Sequence, residues 1–179
     1  NIQLSDEVVG NIEPVKKTRS IHLATASFGQ GISVTPIALI NAVAAIANKG
    51  MLMQPNLLQS NKPQKVRRVV SEKAAQEITT IMTSAVKKAR VAQVAKYKVA
   101  GKTGTAQVPD FKKGGYTDDV INTYVGFAPS SDAQFVILFR IDKPLGAPLA
   151  GQTVVPAFRE LAEFILNYYN IAPDNLPKS

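Results

Sequence analysis

The tightest constraint on this chain is a succession of three strand-like segments, 97–108, 121–128 and 135–141. The first connection, VPDFKKGGYTDD, is crowded with turn formers. The second, Ala128-Pro129-Ser130-Ser131-Asp132, is too short for a crossover helix. Sequential strands joined this way favour an antiparallel meander over 97–141. A three-stranded sheet is narrow and has two faces to cover, so helices must pack on it. The expected fold class is therefore α+β, a small antiparallel sheet packed by helices.

The chain supplies those helices. Thr35 is a good N-cap and Pro36 suits a first helical position, so a helix is expected over 35–49, stopped by Gly50. Its segment IALINAVAAIAN is apolar on nearly every side and should be buried. A second helix is expected over 71–90, capped by Ser71 with Glu72 in its first turn. Ile78, Ile81, Met82 and Ala85 form its apolar stripe, and Lys87, Lys88 and Arg90 suit the negative end of its dipole. MLMQPNLL and KVRRVV, between these helices, read as short extended pieces. A third helix spans 153–170, with Phe158, Leu161, Ala162, Ile165 and Tyr168 as the face that covers the sheet. Residues 1–34 read as an irregular lead-in, and the tail IAPDNLPKS should fray.

Composition narrows the chemistry. With 179 residues the chain suits one domain. It starts at Asn1, so a piece of a longer chain is expected, and strands from the remainder would account for the apolar excess. No apolar run is long enough to cross a bilayer. The absence of cysteine excludes disulfides and thiolate metal sites. His22 is the only histidine, which disfavours a Ser-His-Asp triad or a multi-histidine metal centre; it is expected to be structural. The net charge of +8 favours anionic partners. The densest basic cluster, Lys62, Lys65, Arg67 and Arg68, has no interleaved aromatics, so a solvated face is expected rather than nucleic-acid binding.

The segment VAGKTGTAQ, residues 99–107, carries the most chemistry. Gly101-Lys102-Thr103 lacks the earlier glycine of a phosphate-binding loop, since position 96 is lysine, and a strand rather than a helix follows. Lys102-Thr103-Gly104 is instead a pattern of class A β-lactamases and penicillin-binding proteins. On a strand Lys102 and Gly104 point one way, and Thr103 and Thr105 the other. If the strand is an edge, its free backbone groups can pair with an extended peptide, and Gly104 would keep that approach clear. The lysine would supply positive charge, and a threonine hydroxyl could hold a carboxylate; by itself the tripeptide fits equally an ordinary strand with threonines at β-favoured positions and a surface lysine.

Four segments in order, ASFGQGISVTPIALINAVAAIANKG, VAGKTGTAQ, INTYVGFAPSSDAQFVILFRIDKP and GQTVVPAFRELAEFIL, resemble the transpeptidase domain of class B penicillin-binding proteins. The resemblance runs from about Gly29 to Leu166, and the loop and VGFAP segment look more like division-type members. It implies the serine β-lactamase/transpeptidase-like fold, of which this chain is the C-terminal portion. It implies acyl transfer on peptidoglycan stem peptides, with β-lactams as mimics and no cofactor. In that family Lys102 would hydrogen-bond toward the serine of an SxN motif. Thr103 and Thr105 would bind the terminal carboxylate of D-Ala-D-Ala. The backbone N–H of Thr105 would form half of an oxyanion hole, worth ~3–4 kcal/mol in comparable sites. Partners would be other cell-wall synthesis proteins and, through an anchor outside this chain, the extracytoplasmic side of the membrane.

Two family motifs are missing. No SxN occurs, and the single SxxK, Ser84-Ala85-Val86-Lys87, lies in the second helix rather than upstream of FGQG. The nucleophile is therefore expected outside this chain, and this portion alone should be inactive. Asp118 and Asp119 are neighbours on an extended chain, so a shared acid–base role is improbable. Two other classes stay open: a non-catalytic penicillin-fold scaffold, and a β-lactamase or carboxypeptidase relative. An intact upstream SxxK would separate enzyme from scaffold. Water or amine as the final acceptor would separate hydrolase from transferase.

Overall fold

The computed structural model describes residues 7–16, 20–58, 61–110 and 112–175. In chain order the elements are α1 (Glu13–Lys16), α2 (Ser20–Ser27), α3 (Pro36–Ala47), β1 (Met51–Met53), β2 (Lys65–Arg68) and α4 (Glu72–Ala89). Then follow β3 (Ala100–Pro109), β4 (Tyr116–Ala128), β5 (Phe135–Asp142), a 3-10 turn (Ala150–Gln152) and α5 (Val154–Tyr168).

The meander forms as expected: β3, β4 and β5 are antiparallel neighbours in that order. Its first connection is tighter than the sequence suggests, because β4 begins at Tyr116 and Pro109 pairs with Tyr116. Asp110 ties the hairpin tip. Its Oδ1 accepts the backbone N–H groups of Lys112 (2.9 Å) and Lys113 (3.0 Å), which hold the carboxyl below its usual range.

Alternation along the strands sends side chains to two covered faces. On one face Tyr124, Ala128 and Ile137 pack under Val154, Val155, Phe158, Ala162 and Leu166 at α5. Phe158 meets Tyr124 edge-on with ring centroids 4.6 Å apart. Gly126 makes room for it, since a Cβ there would lie 2.8 Å from Phe158. On the other face Ala100, Val125 and Phe127 pack against Val43 of α3 and Met82 of α4. The sheet is thus the middle of three layers.

Both expected caps form. Thr35 accepts the Ala38 N–H at 3.2 Å, and Ser71 accepts that of Ala74 at 3.1 Å. Gly50 stops the α3 turn at φ +86°, beside the Val70 carbonyl. β1 and β2 form the short antiparallel ribbon that MLM and KVRR suggest.

Five expectations need correction. The lead-in is not irregular throughout: α1 and α2 are helical, and Asn11 caps α1 by accepting the Glu13 N–H at 3.0 Å. These helices bury no residue, so they leave no apolar periodicity to read; residues 1–6 and 17–19 lie outside the described ones. Helix α3 buries only Val43 and Ala45, because protein covers one side of it in this chain. The α4 stripe is rotated: Ala75, Met82 and Val86 are buried, while Ile81 and Ala85 are exposed. The α5 face is similarly shifted toward Val155 and Leu166, leaving Leu161 and Tyr168 outside. The tail docks as far as residue 175. Asp174 accepts the Lys98 N–H (2.7 Å) and the Ser131 hydroxyl (2.6 Å), and Tyr97 donates to the Ile171 carbonyl. Residues 176–179 lie outside the described ones.

Phe158 is fully buried at the centre of the larger cluster. Phe158→Ala should cost about 3–5 kcal/mol in urea unfolding. A loss under 1 kcal/mol would mean that α5 does not hold the sheet.

Candidate functional site

The segment around Lys102 lies on the margin of the sheet. β3 pairs with β4 on one side and with no strand among the described residues on the other. Its partners run without a break from Ala100↔Phe127 to Gln107↔Val120. A strand paired on one side only leaves alternate N–H and C=O groups free for an added strand.

The register fixes which way each candidate points. Lys102 and Gly104 share the α3/α4 face with Ala100 and Val125. Thr103 and Thr105 share the α5 face with Tyr124 and Asn122, which stand directly opposite them. The strand therefore carries its cation and its hydroxyls on opposite faces, as alternation requires. Lys102, Thr103 and Thr105 are exposed, and Gly104 is half-buried.

Lys102 Nζ donates to the Thr103 carbonyl at 2.7 Å and has no carboxylate partner among the described residues. The other cation on that face is already engaged. Arg140, in the same row as Gly104 and Thr123, holds Asp142 through Nε (2.6 Å) and Nη2 (2.8 Å). That fork keeps the Asp142 carboxyl below its usual range. Lys102 is left as a cation next to an open backbone edge.

Each glycine of the segment meets a side chain from β4. A Cβ at Gly101 would collide with the Tyr124 ring and hydroxyl, and one at Gly104 with Thr123 Oγ1. A Cβ stands perpendicular to the sheet, so Gly104 answers to packing on the face. Clearance in the plane of the edge, the reason suggested by the sequence, is a separate matter.

Behind the strand lies a polar layer that the sequence did not single out. Asn122 is fully buried and donates from Nδ2 to Thr153 Oγ1 at 3.1 Å. Tyr124 is also buried, and burial alone pushes its phenol pKa up, so it stays protonated. Asn122 Oδ1 and the Tyr124 hydroxyl have no hydrogen-bond partner among the described residues. The available signal was a polar residue inside the apolar run INTYVGFA, but only the pairing register shows that it backs Thr105.

The remaining candidates are separate from this strand. Ser84 is exposed on α4, and Ser84 and Lys87 line a cleft of about 1650 Å³ to which none of Lys102 to Thr105 contributes. Asp119 pairs with Lys143 at 2.6 Å, while Asp118 is exposed. His22 is half-buried on α2, and its carbonyl accepts the Thr25 hydroxyl at 3.1 Å. The described residues contain no cluster of three or more metal-ligating side chains and no helix long and apolar enough to cross a membrane.

Known proteins match this chain over most of its length. The family described as "Penicillin binding protein transpeptidase domain" matches residues 1–163. The probable peptidoglycan D,D-transpeptidase PbpC of Pseudomonas aeruginosa is 33% identical over 169 residues, covering 92% of this chain and 30% of that protein. The apo transpeptidase domain of Burkholderia pseudomallei penicillin-binding protein 3 superposes with a TM-score of 0.87 at 31% identity, over 99% of this chain and 55% of that one. Penicillin-binding protein 3 of Mycobacterium tuberculosis, solved with ampicillin, gives 0.84 at 26% identity, over 100% and 44%. The chain thus spans about a third of the length of that curated relative and about half of the solved ones.

Two substitutions test the packing behind the strand. Tyr124→Phe removes a buried hydroxyl without a partner, so it should leave stability unchanged or raise it by about 1–2 kcal/mol. Gly101→Ala should cost roughly 1–3 kcal/mol by overpacking, and Tyr124→Phe should recover part of that loss. Denaturant midpoints of the two single variants and the double variant check both. A destabilised Tyr124→Phe would mean that the hydroxyl has a partner.

Proposed function

This chain belongs to the penicillin-binding protein transpeptidase family, and on that footing we propose that it supplies the substrate-binding wall of a peptidoglycan D,D-transpeptidase. The observation that carries the proposal is the free margin of β3, with Lys102 on one face and Thr103 and Thr105 on the other.

An extended stem peptide lies along β3 as an added strand, its backbone paired with the open N–H and C=O groups. Its terminal carboxylate is held by the Thr103 and Thr105 hydroxyls, and the Lys102 cation makes the site attractive to anions. A serine outside these 179 residues attacks the carbonyl carbon of the penultimate D-Ala, as its oxygen–carbon bond forms and its proton passes to a base. The Thr105 N–H donates to the oxyanion that develops. The carbon–nitrogen bond then breaks, and D-Ala leaves with a proton on its amine. The amine of a neighbouring stem peptide attacks the acyl-enzyme and releases the serine. β-Lactams, with a strained amide and a nearby carboxylate, occupy the same strand, in keeping with the ampicillin complex of the similar penicillin-binding protein 3. The same reading places the domain on the extracytoplasmic side of the membrane, held by an anchor outside this chain and working with other wall-synthesis proteins. The division-type role rests on the VGFAP segment.

Fluorescent penicillin tests the proposal. In a whole transpeptidase domain containing this chain, Lys102→Ala should slow acylation by about 10²-fold or more, the scale of losing a group that handles charge or protons at the reacting centre. The isolated 179-residue chain should stay unlabelled. Covalent label on Ser84 would overturn the assignment of the nucleophile.

A further inference from the structure

The cleft of about 1650 Å³ between α3, α4 and the segment after α4 carries mostly one sign of charge. Lys49, Lys87, Arg90, Lys96, Lys98 and Arg159 line it, all exposed, against two carboxylates, Glu72 and Asp132. Glu72 reaches Lys49 at 4.0 Å, and Asp132 accepts from the Gln134 side chain at 3.1 Å. Asp174 is engaged beside the cleft, where Oδ1 accepts the Lys98 N–H and Oδ2 the Ser131 hydroxyl. The other five cations pair with no carboxylate among the described residues.

Helix dipoles favour Lys49 at the end of α3, and Lys87 and Arg90 at the end of α4. They do not account for Lys96 and Lys98, on the connection into β3, or for Arg159 in the first half of α5. The backbone adds a second sign. Five non-glycine residues among the described ones have positive φ. Three of them, Lys49 (53°), Arg90 (63°) and Lys96 (67°), are cations of this cleft. Glycine takes that conformation at less cost, so these long cationic side chains stand there against the backbone's preference. Local strain of this kind clusters where a protein binds something.

The same cleft is apolar at Ile40 and Ala44 of α3 and at Met51 and Met53 of β1, all half-buried. A phosphate polymer could use the cations but would gain nothing by covering those side chains. An amphipathic protein segment uses both. Arginine and methionine are enriched where proteins meet, and methionine adapts its shape to what it touches. We propose that this cleft is a docking groove for an acidic amphipathic helix of a partner protein, its apolar side on Met51 and Met53 and its carboxylates toward Arg90 and Lys96. Opposite charge steers the approach, and burial of the apolar side holds the complex. The groove shares none of Lys102 to Thr105, so the inference stands apart from the transpeptidase reading.

The experiment uses the whole transpeptidase domain containing this chain. A fluorescent helical peptide with leucines on one face and glutamates on the other should bind it, read by anisotropy. Versions with lysines for the glutamates, or glutamines for the leucines, should not. Arg90→Gly/Lys96→Gly removes two cations and suits the left-handed backbone, so the fold is kept. It should weaken binding about fivefold to tenfold, the scale of two lost exposed ion pairs. Lys65→Gln/Arg67→Gln removes as much charge outside the cleft and should leave binding unchanged. Labelling by fluorescent penicillin should match the wild type in both variants, which keeps a failed groove distinct from a failed transpeptidase assignment. If the two variants weaken binding alike, or the glutamine version binds as well, only net charge acts and the proposal falls. It falls too if the glutamate peptide does not bind, as when a second copy or the protein's own remaining residues fill the groove. Binding of phosphatidylglycerol vesicles without binding of the peptide would assign the cleft to a membrane surface instead.

Discussion

The uninterrupted pairing of β3 with β4 is the interaction on which the rest depends. Every assignment at the site follows from one register, Lys102 opposite Val125 and Thr105 opposite Asn122. A slip of one residue would turn Lys102 toward α5 and bury Thr103 and Thr105 against the helices α3 and α4. The register is held by burial on both sides, with Phe127 and Val125 facing one layer and Tyr124 and Ala128 the other. Glycines at 101 and 126 let Tyr124 and Phe158 close over the strands.

This anchoring on one side leaves the opposite side of β3 available. A sheet edge is usually a liability that proteins blunt with charge or cover. Here the edge strand, Ala100–Pro109, carries Lys102 and has polar residues at Thr103 and Thr105. Those features discourage pairing with apolar strands while favouring an anionic peptide. The cleft of about 1650 Å³ lies elsewhere, between α3, α4 and the segment after α4, and shares none of the residues Lys102 to Thr105. Edge pairing and charge, rather than enclosed volume, characterise the site within this chain.

Much of the layout was legible because local rules were strong. Thr35-Pro36 and Ser71 mark helix starts through capping chemistry, and both caps form. The meander follows from connection length. The misplaced stripes on α4 and α5 have a common cause: an apolar residue such as Ile81 or Tyr168 counts toward periodicity whether or not a neighbour covers it. The docked tail was missed because its anchors are polar and distant. Asp174 bonds to Lys98 and Ser131, contacts that no local pattern encodes.

The sequence by itself determined the strand and the alternation of cation and hydroxyls along it, because side-chain period is a property of a single segment, and it pointed to the family through four segments in order. Only the tertiary structure decided that β3 is a margin, that Gly101 and Gly104 answer to Tyr124 and Thr123, and that a buried carboxamide stands behind Thr105. Those facts depend on pairing and covering by residues far along the chain, and free energy from such contacts appears only when the layers close.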